Sequence, residues 1–301
     1  MGARVRILFI TSSRIGDAVL STGLLDHLIR RHPASRITLA CGPAAAGVFF
    51  RMPNLERLFA MEKQPYGRHW CKLWAATVGT RWDLVVDLRA SALAYLLPTR
   101  RRAVMRKAPG HKTEQLARIL GVQPPPLPVA WTAPEDRARA AALLPQGAPW
   151  IVLGPTATWP DKMWPAERFA ALYWSLAAGS LAGARVAVLA GPGALERERA
   201  APMLAALPQA IDLCGNLTLP EAAACLARAA LFVGNDSGPM HLAAAAGAPT
   251  LGLFGPTPVA EYAPCGRRAA AVVARGTRMT DLSVADAFAA AAQLVALARA
   301  A

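Results

Sequence analysis

Four short stretches of the chain hold residue types that could do chemistry. Arg14-Ile15-Gly16-Asp17 combines a glycine, which lets backbone approach a ligand closely, with a carboxylate able to take a proton from a hydroxyl. Taken alone, Asp17 reads more readily as a helix cap. The stretch from Gly154 to Pro165 carries Thr156, Thr158 and Lys162 ahead of a helix start. Hydroxyls and an ammonium there suit phosphate oxygens, and an ordinary loop with a solvent-facing Lys162 is the competing reading. In Gly234-Asn235-Asp236-Ser237-Gly238-Pro239-Met240-His241 the free N–H groups after Gly238, with Asp236 and Ser237, would form a helix-start anion site. His241, on the first helical turn, reaches the same ligand or serves as a structural histidine. In Gly191-Pro192-Gly193-Ala194-Leu195-Glu196, Glu196 could accept from a ribose or sugar hydroxyl. The blander account has Glu196 and Glu198 opening a helix, with Arg197 and Arg199 on its solvated side.

These stretches need elements to hold them. Val5–Ile10, Ile37–Ala40 and Asp83–Asp87 read as buried strands, with an apolar-periodic helix from Ala18 to Arg31 between the first two. A proline-rich stretch, Pro124 to Pro128, then interrupts the pattern and is the best candidate for a linker. Beyond it the alternation restarts, with strands at Trp150–Leu153, Arg185–Ala190, Leu231–Val233 and Thr250–Phe254. Helices are expected over Pro165–Ala178, Leu219–Ala230, Gly238–Ala246 and the alanine-rich Val284–Ala300. Two alternating blocks, residues 1–130 and 131–301, predict an α/β protein of two Rossmann-like domains facing a central cleft. Ligands in such sheets sit beyond the carboxyl ends of strands, where all four stretches fall.

Composition narrows the partners. The chain has 301 residues and a net charge of +14, and residues 1–130 hold 20 Lys and Arg against 7 Asp and Glu. That half should approach something anionic. Arg100, Arg101 and Arg102 head a run of eight basic residues between Arg89 and Arg118 opposed only by Glu114. Only Tyr95 interleaves with the run, which counts against a single-strand nucleic-acid platform. Five cysteines, widely spaced and without a C-x-x-C pair, argue against a zinc site and a disulfide framework. No apolar run is long enough for a signal-peptide core or a spanning helix, so a cytoplasmic protein is expected.

Together the stretches resemble glycosyltransferase family 9, the lipopolysaccharide heptosyltransferases and their relatives. Arg14-Ile15-Gly16-Asp17, Asp161-Lys162-Met163-Trp164-Pro165, and Asn235 to His241 with Phe254-Gly255-Pro256-Thr257 carry the resemblance in the right order. It implies a GT-B fold with the acceptor bound mainly by the first domain and a nucleotide-sugar, ADP-heptose or a relative, by the second. Asp17 would be the general base of an inverting displacement. Lys162 would neutralise the leaving diphosphate, with Thr158, Ser237 and Gly238 donating to it. Glu196 would lie near the donor ribose, and Asp236 and His241 in the loop that holds sugar and phosphate. The acceptor would be an anionic glycolipid, with Arg14 and Arg100 to Arg102 on its side, at the cytoplasmic face of the inner membrane. Ala157 stands where the family often has a second hydroxyl.

No D-x-D occurs, so neither a metal clasp nor a cofactor is indicated. An oxidoreductase is disfavoured, because no G-x-G-x-x-G follows the first strand. A non-catalytic nucleotide- or nucleic-acid-binding protein fits the charge but leaves the Asp17, Lys162 and Asp236 loops without a purpose.

Overall fold

The computed structural model describes residues 5–300. The chain divides into two compact units, Met1–Trp131 and Thr132–Ala301. The first contains β1 (Arg6–Ile10), α1 (Ile15–Arg31), β2 (Arg36–Cys41), α2 (Pro43–Ala46), β3 (Leu55–Ala60), α3 (Arg68–Thr77), β4 (Trp82–Asp87), β5 (Thr99–Val104) and α4 (Lys112–Arg118). Its five strands form one parallel sheet in the order β3-β2-β1-β4-β5. At the centre, Ile7 to Ile10 of β1 are wholly buried. A parallel strand covered on both faces needs apolar residues throughout, which is why it reads as an unbroken run. Ile10 lies opposite Ala40 of β2 and Asp87 of β4. Helix α1 buries Ala18, Val19, Leu24, Leu25 and Leu28 and ends at His32, the residue before Pro33, where helical geometry is disfavoured.

The proline-rich stretch is no free linker. The backbone N–H of Val129 donates to Thr22 Oγ1 of α1 at 2.9 Å. A Cβ on Gly23 would lie 2.5 Å from the Pro126 carbonyl oxygen. The absent side chain lets the extended segment lie directly on the helix, so composition alone misplaces the flexible point.

The second unit contains α5 (Pro134–Leu143), β6 (Trp150–Gly154), α6 (Ala166–Ala178), β7 (Arg185–Val188), α7 (Ala194–Ala206), β8 (Ile211–Asp212) and α8 (Leu219–Leu226). It continues with β9 (Leu231–Asn235), α9 (Gly238–Ala245), β10 (Thr250–Phe254), α10 (Val259–Tyr262), β11 (Ala269–Val273) and α11 (Val284–Ala300). The parallel sheet runs β11-β10-β9-β6-β7-β8. Its core joins Ile151, Leu153, Val233, Leu251 and Leu253 of the strands to Phe169, Leu172 and Leu176 of α6. Helix α11 packs on α6, β10 and β11 of the same unit. Its start is closed by Ser283 Oγ, which donates to Asp286 Oδ2 and accepts from the Asp286 N–H.

Each sheet reverses its direction of growth once, between β1 and β4 and between β6 and β9. Such reversals open a crevice beyond the carboxyl ends of the two strands. At the second reversal Gly154 pairs with Gly234, and the Phe232 ring covers both. A Cβ on Gly234 would lie 2.6 Å from Phe232 Cζ, and one on Gly154 2.7 Å from the same atom. Among the described residues no helix is long and apolar enough to cross a membrane.

Candidate active site

In the second unit the crevice is built around the end of β9. Asn235 is fully buried, and its side-chain amide donates to the Pro155 carbonyl at 2.7 Å and accepts from the Trp164 N–H at 3.0 Å. One side chain thus fixes both ends of the loop after β6. That loop carries Lys162, whose Nζ lies 2.7 Å from Asp236 Oδ2. Asp236 is 8% exposed, and His241, 4% exposed, brings Nε2 to 3.8 Å from Asp236 Oδ1. Three of the expected residues are therefore gathered at one point. An ammonium carries three donors, so the bond to Asp236 leaves others for an anion.

Helix α9 begins beside them. Ser237 is its N-cap, yet the hydroxyl makes no capping bond. Ser237 Oγ is buried without a hydrogen-bond partner among the described residues, as is Thr257 Oγ1 in the loop after β10. Buried hydroxyls normally find partners, and both sit in loops following adjacent strands of the crevice. Gly238 is the first residue of α9, where backbone N–H groups lack helical acceptors.

Glu196 lies on the first turn of α7. Its Oε2 accepts from Thr156 Oγ1 at 2.7 Å and from the Gly191 N–H at 3.3 Å. Thr158 is exposed, and its carbonyl accepts from Arg199 Nη1 at 3.2 Å, alongside the Ala157 carbonyl at 2.8 Å. Arg199 therefore holds the loop after β6, contrary to the expectation of a solvated side chain. Glu196 and Arg199, three apart, share a helix face, and that face turns toward the loop. Beside Glu196 a depression of about 400 Å³ is lined by Gly191, Gly193, Arg197, Cys214 and Asn216. Burial, and next the hydrogen bond with Asp212, push the Cys214 thiol up to about 12, so it stays protonated and inert.

In the first unit Asp17 stands at the third position of α1 and is not its cap, since Arg14 is the N-cap residue. Ser12 Oγ donates to Asp17 Oδ2 at 3.3 Å and accepts from the Arg14 N–H. Across the reversal, at the end of β4, Asp87 is fully buried and accepts from the N–H groups of Arg89 and Ser91 and from Ser91 Oγ. Burial outweighs those donors and holds its carboxyl above the usual range. Arg102 donates to the carbonyls of Ala94 and Leu97, and Arg100 pairs with Asp83 at 3.4 Å. Of the three arginines, two are thus engaged in shaping their own unit, while the Arg101 side chain is exposed.

Sequence reasoning passed over Asn235, Arg199 and Asp87 as site-builders. Asn235 and Asp87 carry a visible signal, a polar residue ending a strand just after buried apolar ones. Arg199 carries only its spacing from Glu196.

The family model for glycosyltransferase family 9 (heptosyltransferase) matches residues 81–291. The chain belongs to glycosyltransferase family 9. This family 9 chain is 40% identical to lipopolysaccharide heptosyltransferase 1 of Pseudomonas aeruginosa over 129 residues. That match takes in 40% of the chain and 33% of the relative. Among solved structures, a family 9 glycosyl transferase from Veillonella parvula superposes with a TM-score of 0.81 at 22% identity, over 97% of both chains. The Escherichia coli ADP-heptose lipopolysaccharide heptosyltransferase II gives 0.79 at 22% identity, over 98% of this chain and all of that one. At these identities the likeness is one of fold. The family 9 fold here is GT-B, two Rossmann-like domains.

Proposed function

We propose that the chain is an inverting transferase that moves a heptose from ADP-heptose to an anionic glycolipid of the lipopolysaccharide-core kind. The observation that carries this reading is the Lys162–Asp236 pair at 2.7 Å beside the start of α9, at the sheet's point of reversal. A diphosphate there gains a positive charge from Lys162, which needs no metal to play that part. The unpartnered hydroxyls of Ser237 and Thr257 supply further donors. The Glu196 carboxylate and the depression beside Arg197 and Asn216 suit a ribose and its base. In the first unit Asp17 takes the acceptor's hydroxyl proton as its oxygen bonds to the anomeric carbon. The bond from that carbon to the diphosphate oxygen breaks, and the electron pair leaves with ADP. The excess basic charge of residues 1–130 draws in the acidic acceptor and the membrane surface that bears it. On this reading the protein works in the cytoplasm, at the inner face of that membrane.

The test is thermal unfolding with ADP, UDP, GDP or CDP on the wild type and Lys162→Met. A ligand at about 100 times its dissociation constant adds about 2.7 kcal/mol to stability. ADP is expected to raise the midpoint most, and the increment is expected to shrink in the variant. A midpoint unmoved by all four nucleotides would remove the donor site from the proposal.

A further inference from the structure

The first unit carries an apolar surface that the transferase reading leaves unused. On α3, Trp70 and Trp74 lie one turn apart, Tyr66 sits in the turn just before the helix, and Trp74 Nε1 donates to the Leu96 carbonyl of the neighbouring turn. The row therefore continues from α3 onto Tyr95 and Leu96. Tyr66 is 97% exposed, Tyr95 64%, Leu96 63% and Trp74 42%. Scattered apolar side chains on a surface need no explanation, but a contiguous aromatic group does.

Its surroundings are mostly basic, with Glu62 the exposed acid nearest in the chain. Arg68 and Lys72 are exposed on the same helix. No acidic residue occurs between Lys63 and Arg81. From Leu84 to Thr113 the sole acid is Asp87, which is fully buried, and Asp83 is paired with Arg100. Aromatic and aliphatic groups rimmed by unopposed cations match a bilayer's boundary, where rings lie at headgroup depth and ammonium or guanidinium groups meet lipid phosphates.

We infer that the α3 face docks the chain onto an anionic phospholipid bilayer, with Trp74, Tyr95 and Leu96 entering the headgroup region and the surrounding cations, Arg68 among them, against the phosphates. This deepens the membrane-facing part of the reading above by naming the surface, and it does not depend on sugar transfer. Leu96 has no ring face on which a base could stack, which disfavours a single-stranded nucleic acid. A second copy would bring two faces of like charge together.

Cys71 supplies the probe, because its thiol is exposed on α3 while Cys41, Cys214 and Cys225 are buried. With Cys265→Ser, an environment-sensitive dye on Cys71 reports this face in the 301-residue chain. Phosphatidylcholine vesicles are added with and without phosphatidylglycerol, and both pelleting and dye emission are read. The expected result is pelleting with a blue shift on the anionic vesicles and neither on the neutral ones. Trp74→Ser with Leu96→Ser should weaken partitioning by about tenfold or more, with the response to ADP unchanged. Pelleting with the dye still in water would sink the α3 face and keep the charge-driven approach. No pelleting on anionic vesicles would sink both. A blue shift that needs only more protein, or only single-stranded DNA, would assign the face to a second copy or to nucleic acid and overturn the inference. The ADP response, measured separately, decides the donor reading whatever the vesicles show.

Discussion

Asp236 faces two side chains that can carry positive charge, and this arrangement separates binding from chemistry at single residues. Asp17 has no part in that cluster, so Asp17→Asn is expected to keep the stabilisation by ADP while turnover falls about 10²–10⁴-fold. Thermal unfolding and a steady-state rate on the same preparations would check it, and unchanged turnover would move the base elsewhere. A second residue-scale effect lies at the depression beside Glu196, where Arg197 bonds to Asp212. Burial alone would raise the Asp212 carboxyl, but the Cys214 N–H and Arg197 outweigh it and hold it below the usual range. A depressed carboxyl adds stability above its unfolded value of about 3.9, and that stability is lost as pH falls through the folded value. Arg197→Ala should therefore be less stable than the wild type near neutrality, by up to about 1 kcal/mol for so exposed a pair. The gap should close on acidification, as urea unfolding across pH would show. Asp17, Lys162, Asp236 and His241 could be picked out of the sequence because each lies in a stretch of unusual composition between a strand and the first turn of the helix after it. Asn235 and Arg199 act through distant backbone groups, which a linear reading does not bring together, and Asp87 holds its own local turn.

At the scale of elements, the meeting of β6 and β9 under the crevice is set by two glycines and one ring. Gly234→Ala would place a methyl 2.6 Å from Phe232 Cζ and 3.0 Å from the Gly154 oxygen. Both strands are central and cannot shift freely, so the variant is expected to lose about 1–3 kcal/mol in urea unfolding. Adding Phe232→Leu should recover part of that loss, whereas no recovery would point away from the ring. The strands legible in the sequence, β1, β2, β4, β6, β7, β9 and β10, are the inner ones of both sheets. Those missed, β3, β5, β8 and β11, are the four edges. An inner parallel strand must be apolar on both faces. An edge strand is half in water, so Leu55–Ala60 is interrupted by the charged pair Glu56-Arg57 and Thr99–Val104 reads as a basic run. The helix over residues 68–77 escaped notice because its exposed side carries Trp74 in place of a purely polar face.

For the whole molecule, one consequence of the fold concerns its behaviour at high concentration. Strand β5 closes one side of the first sheet, and among the described residues its outer row of N–H and C=O groups has no strand beyond it. Open rows of this kind invite another chain to add a strand, and clustered cations are a common guard against it. Arg100, Arg101 and Arg102 occupy that margin. The three arginines therefore serve to keep copies of the protein apart, beside the role proposed for them toward an acidic acceptor. Neutralising them with Arg100→Gln, Arg101→Gln and Arg102→Gln together is expected to produce light scattering that grows with protein concentration, at concentrations where the wild type stays clear. In such a variant, falling activity would report self-association first and acceptor binding only after the aggregated fraction is removed.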